Sequence, residues 1–153
     1  MTTGSKTAGV KAAAPAASVD KYAVVGNPIA HSLSPEIHAH FARQTKQNLV
    51  YEKLVAPIDG FEDFALGLRD AGYRGLNVTI PFKIDAAKLA DDLTARARLA
   101  GAVNTLKFDG DAIWGDNTDG IGFVRDVTGR LKFKIENSAI LILGAGGGVR
   151  GLI

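Results

Sequence analysis

Phe61-Glu-Asp-Phe-Ala-Leu-Gly-Leu-Arg-Asp-Ala-Gly-Tyr-Arg-Gly-Leu-Asn-Val-Thr-Ile-Pro-Phe-Lys83 sets two periodicities end to end. In its first half, Phe61, Phe64, Ala65 and Leu68 follow the i, i+3, i+4, i+7 spacing of a helix with one apolar face. Gly72 supplies the stop. In the second half the period falls to two. Gly75 to Ile80 reads as a strand with Leu76, Val78 and Ile80 on one face and Asn77 and Thr79 on the other, ended by Pro81. A helix that hands over at once to a strand is the repeating unit of a parallel sheet covered by helices.

The same alternation extends in both directions. Upstream, Tyr22 to Val25 is a strand closed by Gly26-Asn27-Pro28. Ser34-Pro35 opens a helix, with Ser34 as the expected N-cap, and Leu49 to Val55 is a second strand. Downstream, helical pattern runs from Pro81 to about Ala90, and Thr94 caps a short helix that stops at Gly101. Thr105–Phe108 and Ala112–Trp114 flank Asp109-Gly110-Asp111 as a hairpin. A helix is expected from about Thr118 to Arg130 and an apolar strand from Ala139 to Leu143. The fold class is therefore α/β: a mainly parallel mixed sheet with helices on both faces and one local antiparallel pair. The final strand runs into Gly144-Ala145-Gly146-Gly147-Gly148-Val149-Arg150. Strand, glycine turn and first helical turn together are the opening of a dinucleotide fold.

Composition narrows the function. The 153 residues carry 18 basic and 16 acidic side chains, a net charge of +2. So small an excess argues against a nucleic-acid surface or a membrane patch. No apolar run approaches the roughly 20 residues of a membrane span. Cysteine is absent, which removes disulfides and thiolate chemistry and fits a reducing cytoplasm. The first 20 residues, rich in Ala, Thr, Ser, Gly and Lys, read as a disordered extension. His38 and His40 stand two apart on a helix and do not face one point. With no H-E-x-x-H, no metal site is expected.

Five segments carry candidate chemistry. Asn77 and Thr79 lie side by side at a strand's C-terminal end, where open α/β sheets bind ligands, and Lys83 follows at the next helix start. A half-exposed strand followed by a surface lysine fits the same pattern, which leaves both readings open. Ser32 and Ser34 offer two hydroxyls at a helix entry suited to an anion. Asn104 enters a strand after a glycine stop and by itself suits a turn. Asp119, in Gly115-Asp-Asn-Thr-Asp-Gly120, falls at a helix N-terminus, where the dipole favours a carboxylate. Gly144-x-Gly146 suits a phosphate-cradling turn, but position 149 is Val where the general fingerprint has Gly or Ala. The acidic residue expected about 20 positions further on lies beyond Ile153.

Taken together these blocks resemble the shikimate dehydrogenase family. The matching stretches are Gly26-Asn-Pro-Ile-Ala-His-Ser-Leu-Ser-Pro35, Asn77-Val-Thr-Ile-Pro-Phe-Lys83, Ala102-Val-Asn-Thr105, Gly115-Asp-Asn-Thr-Asp-Gly120 and Gly144-Ala-Gly-Gly-Gly-Val-Arg150. They stand in the family's order and spacing, from about residue 21 onward. The resemblance implies NADPH-dependent, reversible reduction of 3-dehydroshikimate to shikimate in aromatic amino-acid biosynthesis. By matching position, Ser32 and Ser34 would hold the substrate carboxylate. Asn77, Thr79, Asn104 and Asp119 would bind the ring hydroxyls. Lys83, paired with Asp119, would be the acid–base group. Gly144, Ala145, Gly146, Gly147 and Gly148 would cradle the NADP phosphates.

The implied organisation is an extension at 1–20, a substrate-binding domain at 21–117, a linker helix region at 118–136 and the start of a Rossmann domain at 137–153. The partner is a small molecule, with no nucleic acid and no membrane. Residues 1–153 alone are expected to be inactive while retaining some affinity for shikimate. Ile140-Leu-Ile-Leu143, without a domain of its own, is expected to promote self-association. Thr79 and Pro-Phe-Lys83 favour the shikimate branch. The alternatives are a quinate/shikimate relative and a non-catalytic module that binds a small hydroxy acid.

Overall fold

The computed structural model describes residues 18–153. The expected extension therefore lies almost wholly outside the described residues, and the fold begins at Asp20. The chain forms β1 (Asp20–Gly26), α1 (Ser34–Thr45), β2 (Leu49–Val55), α2 (Phe61–Asp70) and β3 (Tyr73–Val78). There follow α3 (Lys83–Leu89), β4 (Asp92–Leu93), α4 (Ala95–Ala100), β5 (Thr105–Asp109) and β6 (Ala112–Asp116). The last helices are α5 (Asp119–Arg125) and a single turn, α6 (Gly147–Arg150). No helix among the described residues is long and apolar enough to cross a membrane.

The sheet runs β2-β1-β3-β5-β6-β4. β1 is parallel to β2 and to β3, and β4 is parallel to β6. β5 alone runs against its neighbours, and it has one on each side. The single antiparallel pair expected from the hairpin is thus two pairings, because β5 inserts between β3 and β6. Register fixes the faces. Leu76 pairs with Leu106, and Phe108 pairs with Ile113. With Ala23, Val25 and Val78 these residues form the core.

α2 and α3 cover that face. Their Phe61, Ala65 and Ala86 are buried, as is Phe82 at the α3 N-cap. The Phe61 and Phe82 rings stack with centroids 5.0 Å apart. Full burial of such a side chain contributes about 2–3 kcal/mol. The opposite face carries Asn77, Tyr51 and Thr105. α1 covers part of it, laying His38 on Tyr51, and an open groove of about 420 Å³ bordered by Tyr22, Tyr51, Asn77 and Thr105 remains beside it.

Several expectations are corrected. β3 begins at Tyr73 and stops at Val78, so Thr79 and Ile80 leave the strand. The Phe82 N–H donates to the Thr79 carbonyl at 3.0 Å, closing a turn around Pro81. Ile80 is consequently 59% exposed instead of sharing the core face. The cap of α1 is Leu33, not Ser34, and no side chain caps it. β4 was not anticipated, since two residues are too few to show a period.

The helix expected to Arg130 is α-helical to Arg125 and finishes in a π turn, Asp126–Arg130. Ala139–Leu143 is not a strand. A strand needs a partner for its backbone groups, and apolar, β-prone composition does not supply one. Leu141 and Leu143 are 83% and 85% exposed.

Candidate functional site

The C-terminal ends of β1, β3 and β6 and the start of the reversed β5 lie at one edge of the sheet, so their loops converge. Each contributes polar groups. After β3, the turn at Thr79–Phe82 delivers Lys83 as the first residue of α3. After β6, Asn117 and Thr118 deliver Asp119 as the first residue of α5. The Lys83 Nζ donates to Asp119 Oδ2 at 2.6 Å, and the two side chains are only 13% and 26% exposed. The other carboxylate oxygen, Oδ1, accepts from Asn104 Nδ2 at 2.9 Å. Both oxygens of Asp119 are thereby held by donors, and charge-assisted bonds of this kind are the stronger ones.

Asn104 is itself fixed. Its Oδ1 accepts from the Thr118 N–H at 3.0 Å and from the Thr105 hydroxyl at 2.9 Å. Asn77 continues the network. Its Nδ2 donates to Thr105 Oγ1 at 3.3 Å and to the Asn104 carbonyl at 3.4 Å. Its Oδ1 accepts from the Tyr51 phenol at 2.6 Å. Burial pushes the Tyr51 phenol above its ordinary range, so it stays a donor. Burial also shifts His38 downward, and its ring lies flat on the Tyr51 ring with centroids 4.0 Å apart.

Thr79 sits half-buried beside the end of β1. A Cβ on Gly26 would stand 2.5 Å from Thr79 Cγ2, so the close approach of this turn to β1 requires glycine there. The Asn27 N–H donates to the Ile80 carbonyl at 3.0 Å, tying the following loop to the same turn. That loop carries Ser32 and Ser34. The Ser32 hydroxyl donates to Ser34 Oγ at 3.1 Å and accepts from the Ser34 N–H at 3.3 Å. Lys53 braces the loop, its Nζ donating to the Ala30 carbonyl at 2.7 Å.

Gly144 to Gly148 also reach this edge. Gly144 has a φ of +130°, and Gly146 caps α6. A Cβ on Gly147 would stand 2.8 Å from Lys83 Cβ, so the glycine turn packs against the first residue of α3 only because position 147 has no side chain. Nothing lies within 4 Å of a would-be Cβ at Gly146 or Gly148. A turn with no side chain larger than the Ala145 methyl suits the close approach of a diphosphate.

The structure thus joins Lys83, Asp119, Asn104 and Asn77 in one hydrogen-bonded network. Ser32 and Ser34 pair with each other on a neighbouring loop, and Thr79 links the two regions through its turn. Sequence reasoning missed Asn117, Thr105 and Tyr51. Asn117 is 2% exposed, donates to the Ala102 carbonyl at 2.9 Å and accepts the Asp119 N–H at 3.0 Å. It stood inside a quoted motif but looked like a turn residue. Tyr51 carried no signal, because its partner lies two strands away in the sheet.

Comparison with known proteins identifies relatives of the chain and of its fold. Residues 24–106 match the family model described as the shikimate dehydrogenase substrate binding domain. The chain is 56% identical over 136 residues to a protein of Aromatoleum aromaticum named shikimate dehydrogenase (NADP(+)), covering 89% of this chain and 49% of that one. Its fold superposes on the crystal structure of shikimate dehydrogenase from Aquifex aeolicus with a TM-score of 0.84 and 35% identity, covering 90% of this chain and 52% of that one. It also superposes on shikimate 5-dehydrogenase from Thermus thermophilus in complex with NADP(H) and shikimate, with a TM-score of 0.80 and 34% identity over 88% of this chain and 50% of that one. The chain spans about half the length of the curated relatives it matches. By its family match and its sheet, this chain belongs to the shikimate dehydrogenase substrate-binding domain family.

Proposed function

We propose that this chain is the substrate-binding part of a cytoplasmic, NADP-dependent shikimate dehydrogenase, with residues 21–117 as the substrate domain, 118–136 as the linker and 137–153 as the start of the nucleotide-binding region. The observation that carries this reading is the Lys83–Asp119 pair, with Asn104 on the second carboxylate oxygen. In that assignment Ser32 and Ser34 take the substrate carboxylate, and Thr79, Asn77 and Asn104 take ring hydroxyls. The second lone pair of Asn77 Oδ1, beyond the one taken by Tyr51, remains for a substrate hydroxyl donor.

NADPH, when bound, supplies the hydride. Gly144, Ala145, Gly146, Gly147 and Gly148 are the residues that would hold its phosphates. Lys83 holds the proton that the carbonyl oxygen of 3-dehydroshikimate takes as it becomes the shikimate hydroxyl. Donation from a positioned ammonium stabilises the charge that develops on that oxygen. Asp119 keeps Nζ in place, and in the oxidation direction Lys83 receives the proton back. The Thr79-Ile-Pro-Phe-Lys83 segment supports shikimate over quinate as substrate.

The test is calorimetric titration of shikimate into residues 1–153, with Lys83→Ala and Asp119→Ala as controls. Binding that weakens about tenfold or more in either variant is the expected result, since a charge-assisted hydrogen bond contributes about 1.5–3 kcal/mol. Binding that is indifferent to both substitutions would overturn the assignment of the pair. Absence of binding here together with absence of turnover in a chain extended to the relatives' length would overturn the substrate.

A further inference from the structure

The Asp119 carboxylate that holds Lys83 is the end of a longer chain of hydrogen bonds from Tyr51, and every bond along that chain runs toward Asp119. The Tyr51 phenol donates to Asn77 Oδ1 at 2.6 Å, and Asn77 Nδ2 donates to Thr105 Oγ1 at 3.3 Å. The Thr105 hydroxyl donates to Asn104 Oδ1 at 2.9 Å, and Asn104 Nδ2 donates to Asp119 Oδ1 at 2.9 Å. Such a chain has one sense only. A primary amide offers donors on nitrogen and acceptors on oxygen, so a donor at one end fixes its orientation. A carboxylate accepts only, and a reversed Asn104 would set oxygen against oxygen at Asp119. Bonds aligned in one direction polarise each other.

Two members of this chain lie outside the residues assigned to substrate or proton transfer. Tyr51 is in β2, and β1 separates β2 from the β3 strand that holds Asn77. Neighbouring strands lie about 4.8 Å apart, so the reach is about 10 Å. A phenol spans it, and its hydroxyl arrives at Asn77 with its ring clamped flat under His38. Thr105 links the side-chain amides of Asn77 and Asn104, beside the bond from Asn77 Nδ2 to the Asn104 carbonyl. Its hydroxyl has one hydrogen to give, and that hydrogen goes to Asn104.

We infer that Tyr51 and Thr105 are positioning residues for the Lys83–Asp119 pair, acting through the amides of Asn77 and Asn104 along this one-way chain. The inference rests on the reading of Lys83 and Asp119 as the acid–base pair. It goes further in assigning part of the site's organisation to a strand that touches neither group. His38 contributes by holding the Tyr51 ring and has no part in proton transfer.

The experiment reads the side-chain amide signals of Asn77 and Asn104 by nitrogen–proton NMR in residues 1–153. It compares the unsubstituted chain with Tyr51→Phe, Thr105→Val and Thr105→Ser. Tyr51→Phe keeps the stacked ring and removes only the hydroxyl. Thr105→Val keeps the shape and breaks the next link, and Thr105→Ser restores it. In Tyr51→Phe and Thr105→Val the Asn104 amide, which Tyr51 does not touch, is expected to shift and to exchange with solvent faster. Shikimate affinity is expected to fall about two- to tenfold, the range for one lost hydrogen bond, while Tm stays close to that of the parent. Thr105→Ser is expected to recover both readings.

An Asn104 amide that does not respond to either Tyr51→Phe or Thr105→Val overturns the inference, as does a serine variant that behaves like valine. If Tyr51→Phe fails to fold, the Thr105 pair decides alone. If the parent chain binds no shikimate, the functional reading is what has failed, and the amide signals still decide the chain.

Discussion

Asp119 has an acceptor lone pair turned to each of two donors, and this governs what substitutions there do. Asp119→Asn keeps the shape but removes the charge facing Lys83, whose Nζ lies 2.6 Å away in a site where both side chains are mostly covered. An ammonium left without its counter-charge is expected to destabilise the fold by about 1–3 kcal/mol, measured as a lower midpoint in urea. An unchanged midpoint would mean that solvent reaches Lys83 more freely than its burial indicates. Lys83→Met removes the ammonium proposed as proton donor without opening a void, so stability is expected to change by less than in Asp119→Asn while shikimate affinity falls. Asn117 sets the loop rather than the chemistry. Buried, with its amide spent on the Ala102 carbonyl and the Asp119 N–H, it defines where α5 begins.

At the scale of elements, α3 is held to the sheet by Phe82, which is 1% exposed and stacked on Phe61. Phe82→Ala is expected to cost about 3–5 kcal/mol through the lost burial and the cavity it leaves. Because Lys83 is the next residue, the pair with Asp119 should loosen as well. Near-parent stability by thermal unfolding would contradict this. Pairing between α4 and β6 predicts a pH effect.

Arg96 holds Asp116 through bonds of 2.7 and 2.5 Å. Those bonds lead the causes that depress the carboxyl from 3.8 to about 2, against an opposing contribution from burial, with Thr94 and the Asn117 N–H assisting. A carboxyl depressed on folding stabilises the folded state above its unfolded value. That contribution should therefore be whole above about pH 4 and fade as pH falls toward 2. Arg96 is half-exposed, so solvent screening keeps the contribution small. Denaturation of the parent chain and of Arg96→Ala at about pH 6 and about pH 2.5 should converge at the acid end. A gap that stays constant would refute the linkage. The segment 140–143 is apolar and has no strand partner, with Leu141 and Leu143 open to solvent. Self-association through it is expected to appear in sedimentation and to be abolished by Leu141→Lys with Leu143→Lys.

For the whole molecule, the candidate-site groups all stand where the strand ends converge, and the chain spans about half the length of the curated relatives it matches. Shikimate binding and dehydrogenation are therefore separable expectations. Residues 1–153 are expected to bind shikimate without oxidising NADPH, and NADPH oxidation by the pure chain would refute that.

Local chemistry made much of this legible in the sequence. Apolar spacing at 3.6 in α2 and at 2 in β3, the glycine and proline stops, and the Thr94 cap each act within a few residues, so the order of strands and helices could be read directly. The Lys83 and Asp119 positions were readable as motif residues. Their pairing was an implication of resemblance until the fold brought residues 36 apart to 2.6 Å. Contacts between distant segments were not readable. Strand order put β5 antiparallel between β3 and β6, the turn at Pro81 took Thr79 and Ile80 out of their strand, and missing partners left 139–143 unpaired. Tyr51 joined the site for the same reason. A hydrogen bond across two strands depends on which strands are neighbours, and that is decided by burying the apolar face shared by β1, β3 and β5, not by any residue's own propensity.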